Sequence, residues 1–79
     1  MNTKDRVLNV FSKVFNLNDN QIDKSTKKED IESWDSIGHL SLIMGLEEEF
    51  QIKLTTDEIV AINNVENCIR IIDQLLKTS

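Results

Sequence analysis

The chain has no proline and no tyrosine, and among its 79 residues it has only two glycines, one cysteine, one histidine and one tryptophan. Each scarcity closes off a class of protein. With no proline, little glycine and few β-branched alternations, little interrupts helix formation, so the chain reads as all-α. The lone Cys68 excludes an internal disulfide framework, and a single histidine, His39, cannot assemble a Cys/His metal site, so no metal is expected. No apolar run approaches the roughly 20 residues of a membrane span, and the opening Met1-Asn2-Thr3-Lys4-Asp5 lacks the apolar segment of a signal peptide. A cytoplasmic protein without membrane contact is the expectation. Positive charge is scarce too: nine Lys and Arg stand against fourteen Asp and Glu, and the formal charge of −5 repels nucleic acid and anionic lipid. Basic proteins suit it better as partners.

A chain of this length is expected to form one small domain, residues 1–79, burying roughly 60 to 65% of the surface it exposes when unfolded. That leaves no room for a substrate-enclosing cleft. Read against a period of 3.6, the apolar positions give four helices. The first starts after Thr3 as N-cap and runs to about residue 15, with Val7, Val10, Phe11 and Val14 on one face and Leu8 and Phe15 at its edge. The second runs from Ser36 to about Phe50. A short third covers Asp57 to Ile62, capped by Thr55 or Thr56, with Asp57 and Glu58 in the first turn, where the helix dipole favours acids. The fourth begins near Asn64 as N-cap and sets Val65, Ile69, Ile72 and Leu76 along one stripe, flanked by Cys68 and Leu75. Between the first two helices, Asn16 to Asp35 is long for a connection in a compact domain. Leu17, Ile22, Ile31 and Trp34 are spaced to pin it to the bundle, leaving Lys24, Ser25, Thr26, Lys27 and Lys28 in water. The predicted fold is a small four-helix bundle with a long ordered loop and a short third helix.

The second helix has more apolar surface than one core can use. At about 100° per residue from Ile37, Leu42, Ile43, Leu46 and Phe50 fall at about 140°, 240°, 180° and 220°, a core face. Ile37, Leu40 and Met44 fall at about 0°, 300° and 340°, on the other side. Burying each is worth about 1.5 to 3 kcal/mol, so either the loop covers them or they form a docking strip for another protein. Glu47 and Glu48 flank this strip, and Asp35 lies at its N-terminal end. From Glu29 to Phe50 there are seven acids and no Lys or Arg, which puts a negative field around Ser36. Gly38, Ser41 and Gly45 make a strip of small residues beside the apolar one. Each mid-helix glycine costs about 1 kcal/mol relative to alanine, so close approach by a partner or a bound group is expected there. His39, on the core side, reads as a boundary packing residue, Trp34 as a loop anchor and Cys68 as a small buried hydrophobe. Ser36 opens the helix. Taken alone it reads as an N-cap, while the free amides and positive dipole end at that point also favour a phosphate.

Trp34-Asp35-Ser36-Ile37-Gly38-His39-Leu40, running into Ser41-Leu42-Ile43-Met44-Gly45-Leu46-Glu47-Glu48-Glu49-Phe50, resembles the prosthetic-group site of acyl carrier proteins. An Asp-Ser-aliphatic step opens a helix that ends in Leu-Glu-Glu-Glu-Phe, and the resemblance extends, less specifically, over nearly all of the chain. It implies a bundle of the acyl carrier type and a 4'-phosphopantetheine carried on Ser36, placed there from coenzyme A by a phosphopantetheinyl transferase. The arm's thiol would hold acyl or aminoacyl intermediates as thioesters. By the same resemblance Asp35 helps present the site to the transferase, Ile37, Leu40 and Met44 match hydrophobic recognition positions, and Glu47 and Glu48 match acids that meet basic patches on partners. Those partners are an acyl- or aminoacyl-activating ligase and synthase or transferase enzymes, as in fatty acid biosynthesis, and the carrier is a monomer and not itself an enzyme. An aliphatic chain would shelter among Leu46, Ile59, Ile62 and Ile69. Many fatty-acid carriers have acids at the second and fifth positions after the serine, where this chain has Gly38 and Ser41. The variant resembles carriers of dedicated pathways, including aminoacyl or peptidyl ones.

Three other classes compete. An unmodified helical interaction module would share the strip and the charge without needing Ser36. A calcium-binding loop over Asp19 to Asp30 fails because Lys24 stands where glycine is required, Gln21 and Ser25 are weak ligands, and Asp30 is shorter than the bidentate glutamate. A stand-alone enzyme lacks a nucleophile beside a base.

Overall fold

The computed structural model describes residues 2–78. Its backbone forms α1 (Thr3–Phe15), α2 (Ser36–Phe50), α3 (Thr56–Ala61) and α4 (Val65–Thr78), with 3₁₀ turns at Asp19–Gln21 and Lys28–Asp30 between α1 and α2. Among the described residues there are no strands, only one isolated bridge between Lys27 and Asn64. The all-α bundle expected from the sequence is the one observed.

Side chains set where the helices start. Asn2, not Thr3, caps α1: its side chain accepts from the Asp5 N–H at 2.9 Å. Thr3 is thereby released to donate its hydroxyl to Asp73 Oδ1 on α4, at 3.3 Å. Thr55 caps α3 through a reciprocal box with Glu58, and Asn64 caps α4 by accepting from the Asn67 N–H at 2.7 Å. α1 and α2 end through left-handed residues that are not glycine, Asn16 (φ 55°) and Gln51 (φ 56°). Asparagine tolerates that conformation. Gln51 is held in it partly by its own side chain, which donates to the Glu48 carbonyl at 2.8 Å.

α1 packs against α2 and α4, and α3 against α4. Val7 and Phe11 from α1, Leu42 and Leu46 from α2, Ile62 after α3, and Val65, Cys68 and Ile72 from α4 are fully buried. On α4 the stripe is turned by about one position from that read in the sequence: Cys68 lies at its centre, while Ile69, Leu75 and Leu76 pack at its edges. Phe15, read as an edge residue, is buried, and Val14 is half-buried. The reason is aromatic. Phe11, Phe15 and Trp34 form a triangle with ring centroids 5.1 to 6.0 Å apart, which pulls this side of α1 under the loop.

The loop is pinned where its apolar spacing predicted, by buried Ile22, Ile31 and Trp34 and half-buried Leu17. Thr26, expected in water, is buried. Asp23 is responsible, because its Oδ1 accepts from both the Ser25 N–H at 2.8 Å and the Ser25 hydroxyl at 2.6 Å, making a tight local turn. Those bonds, the side-chain one foremost, hold the Asp23 carboxyl below its ordinary range. The turn swings Thr26 inward. Its carbonyl accepts from the Val65 N–H at 2.9 Å while the Lys28 N–H donates to the Asn63 carbonyl at 3.2 Å, so the loop is stitched to the α3–α4 junction.

Candidate functional site

Everything around Ser36 follows from how the chain enters α2. Trp34, 3% exposed, is fixed in the aromatic triangle, and the next residue, Asp35, caps the helix by accepting from the Gly38 N–H at 2.8 Å. Ser36 is therefore not the N-cap but the first helical residue, and it is exposed. This frees its hydroxyl from the capping role and places it at the positive end of a 15-residue helix. Such a terminus accommodates a phosphodiester without rearrangement, so the residues present fit a phosphopantetheine.

Gly38 explains one departure from the pattern of fatty-acid carriers. A Cβ at this position would collide with the backbone carbonyl oxygen of Ser33 and meet Phe15 Cε1 at 3.0 Å. No acid fits there unless the loop moves. At Gly45 a Cβ would meet Val10 Cγ1 at 3.1 Å and Val14 Cγ2 at 3.3 Å. The close approach expected along the small-residue strip is thus made by the chain itself: the loop at Gly38 and α1 at Gly45.

The outward face of α2 is bare. Ile37 is 78% exposed and Leu40 and Met44 are each 62% exposed, so the loop does not cover them. Val60 on α3, 73% exposed, is a further large apolar side chain on the surface, which the sequence reading missed. α3 has only six residues, too few for a periodic pattern to separate inside from outside.

The acids at the end of α2 divide three ways. Glu47 turns towards the α2–α3 connection, where its Oε2 accepts from the Leu54 N–H at 2.9 Å. Glu49 is held by Arg6, whose Nε donates to Oε2 and whose Nη2 donates to the Glu49 carbonyl, each at 2.9 Å, with the guanidinium 4.4 Å above the Phe50 ring. Glu48 projects into solvent. Of the four residues expected to shelter an aliphatic chain, Leu46 and Ile62 are fully buried in the core, with Ile59 and Ile69 packed against it. Cys68 is buried on α4, and desolvation pushes its thiol up to about 12.

His39 does more than pack at a boundary. Its Nδ1 lies 2.8 Å from Trp34 Nε1 and its Nε2 lies 2.8 Å from the Ile59 carbonyl on α3. The only available signal in the sequence was its core-side angle beside Trp34.

A small helical bundle with an exposed serine on the first residue of α2, ahead of an open apolar strip, is the architecture of a carrier protein. The phosphopantetheine attachment site profile matches residues 5–72, and the chain belongs to that family, the acyl carrier proteins. It is 33% identical over 76 residues to the chloroplastic acyl carrier protein of Brassica napus, a match covering 95% of this chain and 56% of that protein. The chain thus spans little more than half the length of that relative. Its fold is similar to the solution structure of a holo acyl carrier protein from Geobacter metallireducens, with a TM-score of 0.85 and 31% identity over 99% of this chain and 90% of that one. The cofactor of such a domain is covalently attached 4'-phosphopantetheine. Among the described residues no helix is long and apolar enough to cross a membrane.

Proposed function

We propose that Ser36 carries the phosphopantetheine and that the chain, as one domain over residues 1–79, delivers thioester-bound carboxylic acids to a succession of enzymes. The observation that carries this reading is the exposed Ser36 at the first position of α2, with Asp35 taking the cap in its place. When attached, the arm supplies a thiol that holds the acyl or aminoacyl group. The chain's own residues do the rest. The α2 amides and dipole favour the phosphodiester, Asp35 shapes the turn that a transferase must read, and Ile37, Leu40 and Met44 offer a partner an apolar strip rimmed by Glu48 and the partly turned Glu47. The chain is then a substrate and partner of enzymes and not a catalyst. Its partners are a phosphopantetheinyl transferase, an activating ligase, and synthases or transferases with basic docking patches, which it meets as a cytoplasmic monomer. Brief docking suits a small strip with screened charge.

The test is intact-protein mass spectrometry after incubation with coenzyme A and a broad-specificity phosphopantetheinyl transferase, beside Ser36→Ala. A phosphopantetheine-sized gain confined to the unmutated chain is expected. A well-folded chain that gains nothing with any transferase offered would replace this reading with that of an unmodified interaction module.

A further inference from the structure

From α2, His39 bonds to both the loop, through Trp34, and α3, through Ile59. Its ring lies nearly parallel to the Trp34 indole, 16° from it with centroids 6.1 Å apart, and both ring nitrogens are engaged at 2.8 Å. The indole N–H of Trp34 can only donate, so Nδ1 of His39 must accept. The proton then sits on Nε2, which donates to the Ile59 carbonyl. Chemistry thus fixes the tautomer without reference to hydrogen positions.

Ile59 lies in the last turn of α3, where helix carbonyls lack intrahelical donors, and only a longer contact from the Ile62 N–H, at 3.4 Å, shares its oxygen. A six-residue helix does not hold its place by its own hydrogen bonds; tertiary ties decide where it sits. Among the described residues, two side-chain hydrogen bonds from α2 reach α3 and its approach. Glu47 holds the Leu54 N–H just ahead of α3, and His39 holds Ile59 towards its end. The residues next in chain to the His39–Ile59 pair are Leu40 and Val60, 62% and 73% exposed. The bond therefore joins the residues that precede these two exposed side chains in the chain.

We infer that His39 is a positioning residue, which through its Nε2–H bond to the Ile59 carbonyl sets where α3 presents Val60 relative to the α2 strip that starts at Ile37. The consequence for docking rests on the carrier reading above; the effect on α3 does not. Asparagine and glutamine separate the two halves of the ring. Asparagine places an oxygen near Nδ1 and retains the Trp34 bond, whereas glutamine reaches the Nε2 position with an N–H and retains the Ile59 bond.

The experiment uses the unloaded chain and its Ala, Asn and Gln variants at position 39. Amide hydrogen exchange over residues 56–62 should accelerate about tenfold in His39→Ala and His39→Asn, with His39→Gln close to the unmutated chain. Long-range proton–nitrogen correlation on the unmutated chain should show the Nε2–H tautomer. In steady-state loading by the transferase, KM for the chain should rise in the Ala and Asn variants by more than kcat falls, and Gln should restore it. Equal exchange in the Asn and Gln variants, α3 exchange unmoved in the Ala variant, or an Nδ1–H tautomer would each overturn the inference. Exchange and tautomer are read without loading, so failure of the carrier reading leaves this one standing or falling by itself.

Discussion

Gly38 shows how much one missing side chain can fix. Any Cβ there drives into the Ser33 carbonyl, which is backbone and cannot rotate away, so Gly38→Ala must shift the segment that sets Trp34 and Asp35. Overpacking of this kind costs about 1 to 3 kcal/mol, and urea denaturation should find Gly38→Ala destabilised by that order. Gly45→Ala should be milder, since the valine methyls it meets belong to flexible side chains and the alanine regains about 1 kcal/mol of helix propensity. Equal losses at the two sites would contradict the packing described. The sequence reading saw that these glycines needed a reason but placed the reason outside the chain. Helical angles locate a residue on a face; they say nothing of which backbone crosses it. The same limit applied to His39, whose two partners come from 5 residues before it and 20 after.

α2 was the most legible element, because its four-residue stripe had to be core, and the structure alone decided that the three-residue stripe is left uncovered. The first is buried and the second is not. The docking role assigned to the second stripe predicts that Met44→Ala and Glu48→Lys each weaken binding to a cognate enzyme by about tenfold, with thermal midpoints close to the unmutated chain, because neither side chain supports the core. Calorimetric titration beside a melting curve decides it; unchanged affinity with every partner would remove the strip from the docking face. α3 and the loop were less legible. A helix of six residues gives its pattern too few repeats, and the 3₁₀ turns depend on side chains that reach back to the chain ahead of them, Gln21 to the Asn18 N–H and Asp30 to the Lys27 N–H, which no period reveals. The loop's four apolar anchors, by contrast, stood out against polar neighbours.

At the scale of the whole molecule, a core built from so few large side chains leaves a thin margin, and one titratable group sits inside it. Cys68 ionises at about 12 when folded against an ordinary 9.0, so the folded chain keeps a proton the unfolded chain gives up. The folded pKa is the higher of the two; the stabilisation is therefore complete below pH 9 and is lost as pH rises towards 12, at about 1.4 kcal/mol per pH unit. Denaturation at pH 8.5 and 10.5 should show a loss of stability that Cys68→Ala, though less stable at neutral pH, does not share to the same extent. Identical pH slopes would place the thiol in water. The overall bundle was readable because period and burial agree, with the caps of α3 and α4; the turn of the α4 stripe was not, since Cys68 and Ile69 are both apolar and only packing against α1 chooses between them. One consequence lies in the three consecutive glutamates that close α2. Leu54 engages the first and Arg6 the third, so of these three only Glu48 stands unengaged. The chain's overall negative charge still draws a basic partner in, while on the carrier reading the length of each visit is governed by a few apolar side chains letting go, which suits a shuttle that must leave every station as readily as it arrives.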